Sequence, residues 1–126
     1  MKTRLLFQAS AIFEAITGLA LLAAPERVIG SLLGDGLSST GVAVGRVLGI
    51  GLISLGVAAW ESPAQDARLA QRAGLCTYNV GATVVLAILG VYGGMNGIGL
   101  WPAAWLHGLV GAIMLWIIVK ENIVPR

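Results

Sequence analysis

Hydrophobic residues along this chain gather into four long runs separated by short polar breaks. The runs cover Leu5–Ala24, Thr40–Trp60, Leu69–Tyr92 and Trp101–Val119. Each approaches the ~20 residues that cross a ~30 Å hydrocarbon core as a helix. The breaks carry the residues that end helices. Pro25 closes the first run and Pro102 opens the fourth, positions where a helix tolerates proline. Gly34 and Gly36 mark the first connection, Pro63 lies in the second, and Gly93, Gly94, Gly97 and Gly99 mark the third. Residues Glu61–Arg72 read as a short polar connector that extends the third helix. The pattern predicts an all-α fold, a four-helix transmembrane bundle forming a single domain over residues 1–126.

Composition turns this pattern into a membrane assignment. The chain is 57% hydrophobic and 11% charged, whereas a soluble domain carries roughly 25% charged residues. So little charge cannot cover a surface in water. The net charge is +2 and the eight Lys and Arg are scattered, so no basic patch exists for nucleic acid. A single cysteine, Cys76, excludes an intrachain disulfide and a CxxC motif. Lys2 and Arg4 before an apolar run, with Ala23-Ala24 after it, resemble a signal peptide. Against that, Glu14 interrupts the run, and the run exceeds the length of a signal-peptide core.

Orientation follows from positive charge near the span ends. Lys2, Arg4, Arg68, Arg72, Lys120 and Arg126 fall on one side, and Arg27 alone on the other. Both termini are therefore expected in the cytoplasm, with the bacterial inner membrane as the location. Trp60 and Trp116 then lie near the inner interface, and Tyr92 and Trp101 near the outer one. Gly41, Gly45 and Gly49 repeat every four residues, a small-xxx-small face of the kind that lets membrane helices approach closely.

Four strongly polar side chains interrupt the spans, one in each: Glu14, Arg46, Asn79 and His107. At ~1.5 Å per residue, counted from the ends of each run, all four fall within ~6 Å of the membrane midplane. Ser10, Glu14 and Thr17 share one helical face, as do Cys76, Asn79 and Thr83. An unpaired charge at mid-bilayer costs about 3 kcal/mol on insertion scales. Glu14 and Arg46 are therefore expected to form an ion pair between the first two spans. Glu14, Arg46, Tyr78, Asn79 and His107 are the candidates for ligand binding or proton relay. Plain structural roles stand beside these: an ion-pair lock for Glu14 and Arg46, interhelical hydrogen bonding for Asn79, and a core histidine for His107. No HExxH, GxSxG, P-loop or dinucleotide fingerprint appears, so no catalytic residue and no cofactor is assigned. A metal would need Glu14, His107 and Cys76 to converge, and none is expected.

The segments GLALLAAPERVIGSLLG, GRVLGIGLISLGVAAW, CTYNV and LWPAAWLHG resemble a family of small bacterial four-helix membrane proteins, DoxX-like in size and topology. The resemblance covers nearly the whole chain and rests on Pro25, Arg46, Tyr78, Asn79, Trp101, Pro102 and His107. It implies a four-helix membrane fold in a bacterium and no defined activity. The segment AIFEAITGLALL is also similar to the first helix of small multidrug resistance transporters, which carry one membrane glutamate. Arg46 and the lack of that family's third-helix aromatic motif depart from the pattern.

Three roles are consistent with the sequence. The first is a non-enzymatic binding or accessory protein that holds a lipid or quinone, or supports a larger membrane complex. The second is a dimeric proton-coupled transporter, and the third a membrane enzyme using His107 and Glu14. Expected partners are the lipid bilayer and a homo-oligomer or larger assembly. Reporter fusions at Met1 and at Arg126 should both give cytoplasmic signals. A periplasmic signal from either would overturn the orientation.

Overall fold

The computed structural model describes residues 2–60 and 64–123. Those residues form five helices and no strand: α1 (Lys2–Ala23), α2 (Pro25–Leu33), α3 (Ser39–Ala58), α4 (Gln65–Val91) and α5 (Leu100–Ile123). Four of them are long and apolar enough to cross a membrane, over Thr3–Ala23, Ser39–Ala58, Ala67–Val91 and Leu100–Glu121. Large apolar side chains point outward along all four, among them Ile16, Val47, Val85 and Leu109. A water-soluble bundle would turn these stripes inward, whereas a bilayer solvates them. The chain is a multi-pass membrane protein.

The helix boundaries follow local chemistry. α1 stops before Pro25, because the residue preceding a proline is pushed out of the α region; Ala24 sits at φ −146°. Pro25 then starts α2 at a position where its missing N–H costs nothing. Gly34 ends α2 in the left-handed conformation, at φ 86°, with its N–H donating to the Gly30 carbonyl. The Ser38 hydroxyl caps α3 by accepting from the Gly41 N–H at 3.1 Å. α4 begins two residues before its candidate span, which runs from Ala67 to Val91. The expected connector at Glu61–Arg72 is helical from Gln65 onward, and residues 61–63 lie outside the described residues.

The helix α2 departs from the sequence expectation, which placed a plain connection there. It lies across one end of the bundle against α1, α3 and α5. Backbone bonds tie it to the segment before α5: the Gly99 N–H donates to the Ser31 carbonyl at 2.8 Å, and the Asn96 N–H to the Leu33 carbonyl at 3.3 Å. The opposite end, where α1 starts and α5 stops, is the terminal end of the bundle.

The bundle is assembled from two antiparallel pairs, α1 with α3 and α4 with α5. The first pair meets backbone to backbone. A Cβ on Gly18 would lie 2.5 Å from the Gly49 carbonyl oxygen, and one on Gly56 would lie 2.6 Å from the Ala11 carbonyl oxygen. Gly49 is buried in this interface, Gly45 is buried against Pro25 and Ile29 of α2, and Gly41 meets Leu37, just before its own helix. At the terminal end, Phe7, Ala11, Ala59, Leu75, Cys76 and Met114 form one buried cluster that joins the two pairs.

Adding side-chain volume between α1 and α3 should therefore be costly. Gly49→Val should lose about 1–3 kcal/mol of stability, the usual cost of overpacking. Gly51 faces open space, so Gly51→Ala should leave stability unchanged or slightly raised. Thermal unfolding in detergent compares the two, and equal losses would contradict the close approach.

Candidate functional site

The candidate residues occupy three helices. α1 contributes Ser10 and Glu14, α4 contributes Tyr78 and Asn79, and α5 contributes His107. The α1–α3 contact leaves Ser10 and Glu14 on the face of α1 that turns toward the other pair. The α4–α5 contact aligns the remaining three, because Gly111 packs on Val80 and Asn79, and Gly108 packs on Thr83.

Asn79 is the hub. It is 2% exposed. Its amide nitrogen donates to the Leu75 carbonyl at 2.9 Å and to the Ser10 hydroxyl oxygen at 3.4 Å. Its side-chain oxygen lies 2.9 Å from His107 Nδ1. An amide oxygen only accepts, so Nδ1 carries the hydrogen in this pairing and Nε2 keeps a free lone pair. The His107 ring is held edge-on between two aromatics. Tyr78 lies on one side at 5.7 Å between ring centroids, and Phe13 on the other at 6.5 Å.

Glu14 stands apart from this network. It is 1% exposed, yet neither carboxyl oxygen has a hydrogen-bond partner among the described residues. His107 Nδ1 is 3.9 Å from Oε1, too long for a hydrogen bond. The Tyr78 hydroxyl faces the carboxyl without closing a bond to it. Buried polar groups nearly always find partners, and a buried carboxyl without one needs an explanation.

The expected pair between Glu14 and Arg46 does not form. Arg46 is exposed on the outer side of α3, one residue past the buried Gly45. The helix register gives the physical reason. Gly49 lies opposite Gly18 and Gly56 opposite Ala11, which brings Ile53 to the level of Glu14. Arg46 is seven residues further along α3, ~10 Å away along the axis. The backbone contact between the glycines also leaves no room for an arginine in the interface. A long cation on the outer face can extend its guanidinium toward the headgroups instead.

Among the described residues, an ion pair does form at the terminal end. Arg72 Nη1 is 2.6 Å from Glu121 Oε2, and the Arg72 guanidinium also sits 4.7 Å over the Phe7 ring. The sequence expectation treated Arg72 only as a topology signal. Its position on α4 one turn before Cys76, with Glu121 closing α5, was the available signal. Cys76 is buried and its thiol donates to the Gly111 carbonyl at 3.7 Å. It lies with the apolar cluster, one turn from Asn79, and does not join the Glu14 and His107 pair.

Compared with known proteins, the chain matches no protein-family profile, no curated protein and no solved structure. The side-chain geometry therefore carries the functional argument.

Double-mutant cycles measured in detergent should separate the real contact from the absent one. Asn79→Leu with His107→Phe should show coupling of about 0.6 kcal/mol, the average for interhelical hydrogen bonds in membranes. Glu14→Gln with Arg46→Met should add to within about 0.5 kcal/mol. Strong coupling in the second cycle would restore the ion pair.

Proposed function

We propose that this protein binds a small amphipathic ligand, a quinone or lipid, at mid-membrane. The ligand's polar head is held by Glu14, Tyr78, Asn79 and His107. One observation carries this reading: the buried Glu14 carboxyl has no hydrogen-bond partner among the described residues although His107 and Tyr78 lie beside it. A carboxyl at this depth has two affordable states. It is neutral and bears a proton, or it is ionised and matched by a group that the described residues do not provide. In either state its oxygens present unused hydrogen-bonding capacity. The Tyr78 hydroxyl and the second nitrogen of His107 add a donor and an acceptor beside it. A quinone or quinol head, which offers carbonyl or hydroxyl groups on a planar apolar ring, matches this set. We place the protein in the bacterial inner membrane with both termini in the cytoplasm, alone or as a subunit of a larger membrane assembly.

A second reading is a dimeric proton-coupled transporter. The same geometry favours it in one respect: Arg46 does not neutralise Glu14, so the carboxyl is free to exchange a proton for a cation.

The test extracts the protein with its native lipids and analyses the bound fraction by mass spectrometry, followed by quinone titration of the purified protein. Wild type should retain quinone or a specific lipid. Glu14→Leu, which removes the hydrogen-bonding group, should bind it about tenfold or more weakly, as expected for a lost hydrogen bond of about 1.5 kcal/mol or more. Equal affinity in the two proteins would defeat the role of Glu14. Proton release on adding a lipophilic cation, seen in wild type and absent in Glu14→Gln, would favour the transporter.

A further inference from the structure

The polar centre is closed toward both ends of the bundle. On the terminal side stands the apolar cluster of Phe7, Ala11, Ala59, Leu75, Cys76 and Met114. Ala11 and Phe7 precede Glu14 by three and seven residues, so the cluster fills the bundle from ~4 to ~10 Å below the carboxyl. On the other side α2 forms a roof over α1, α3 and α5. It is bonded to the segment before α5 through Ser31 and Leu33, and Gly97 lies so close to the Leu32 backbone that a Cβ would collide with it.

The flank between these closures is packed differently. In α4 the buried residues are Arg72, Leu75, Cys76 and Asn79, and none from Val80 to Val91 is buried. The two helix pairs thus join firmly in the terminal half and loosely in the half nearer α2. The site's own burial shows which edge is thinnest. The His107 side chain is 12% exposed against 1% for that of Glu14. Phe13, whose ring meets the edge of His107, is 45% exposed. Phe13 belongs to α1 and His107 to α5, so this edge is the α1–α5 seam.

We infer that the Glu14 site is entered sideways from the bilayer, through the α1–α5 seam beside Phe13, and that its ligand is a membrane-dissolved molecule with an apolar body and a hydrogen-bonding head. The inference deepens the ligand-binding reading and rests on it. A molecule already in the hydrocarbon keeps its apolar body there as its head passes Phe13. A polar molecule arriving from water would have to cross the apolar cluster or part the roof, desolvating along the way. The occupant is therefore a quinone-like or lipid-like molecule, and a hydrophilic solute is excluded.

Carbodiimides test the route on the protein itself, reconstituted in phosphatidylcholine vesicles. The carboxyl oxygen bonds to the carbodiimide carbon, the carboxyl proton moves to a carbodiimide nitrogen, and the product rearranges to a stable N-acylurea. Peptide mass spectrometry then locates the adduct, with Glu14→Gln as the control. Dicyclohexylcarbodiimide, which dissolves in the bilayer, should modify Glu14 several-fold faster than a water-soluble carbodiimide supplied on both sides. Phe13→Ala should raise the first rate and leave the second unchanged. Ile16→Ala, at an outward position of the same helix, should alter neither.

Equal modification by the water-soluble reagent would overturn the inference. So would an unchanged rate in Phe13→Ala, or the absence of any Glu14 adduct. None of these readouts requires a ligand. A protein that labels as described but retains neither quinone nor lipid would fail only on the binding proposal.

Discussion

The backbone contact between α1 and α3 is the constraint on which the rest depends. Glycine at positions 18, 49 and 56 removes the Cβ at the closest points of the crossing, so main-chain atoms touch there. In a membrane this packing supplies much of the helix association, because lipid leaves little hydrophobic driving force between helices. The contact also allows a single register. With Gly18 opposite Gly49, α1 has one face committed, and the face bearing Ser10 and Glu14 must turn toward α4 and α5. The same register moves Arg46 ~10 Å from Glu14 along the axis. One geometric fact therefore both builds the polar centre and leaves its carboxyl unpaired.

Within that centre the polar groups are not equivalent. Asn79 uses both ends of its amide, and Thr83 and Thr17 return their hydroxyls to carbonyls one turn back in their own helices. Each such bond contributes modestly, on the order of 0.6 kcal/mol in a membrane. Together they fix the His107 ring and leave its Nδ1 committed. Glu14 is walled in by this scaffold without being satisfied by it. The arrangement is a polar shell held by interhelical and backbone bonds around a carboxyl that makes none of them among the described residues.

The four spans were legible because length and apolarity act residue by residue and need no partner. The convergence of Glu14, Tyr78, Asn79 and His107 was legible for a similar reason: depth follows from counting along each helix. What was not legible depends on pairs of helices. The glycine face was read at Gly41, Gly45 and Gly49, but the contact is centred on Gly49 and Gly56 and needs Gly18 opposite, which one helix alone cannot reveal. The pairing of Glu14 with Arg46 failed for the same reason, since depths counted from run ends ignore the register set by the glycines. α2 was missed although Pro25 at its first position, Glu26 in its first turn and the spacing of Val28, Ile29, Leu32 and Leu33 all signal a short amphipathic helix. At nine residues it is too short to cross a bilayer, and it was read as part of the connection marked by Gly34 and Gly36.

The identity of the residue at position 14 narrows what the centre can be for. A glutamine there would fill nearly the same volume, would carry no ionisable proton and could donate to or accept from the same neighbours. It would avoid the penalty of about 3 kcal/mol that an ionised carboxyl faces at mid-bilayer. For a purely structural hub, glutamine would therefore serve as well at lower risk to the fold. The glutamate differs from it in one capacity, that of giving up and recovering a proton. A structural lock would need Arg46 nearby, and Arg46 is elsewhere. The carboxyl thus makes sense in a site whose occupant completes it, either by donating a hydrogen bond or by supplying compensating charge. The proposed binding role therefore centres on Glu14 rather than on the packing around it.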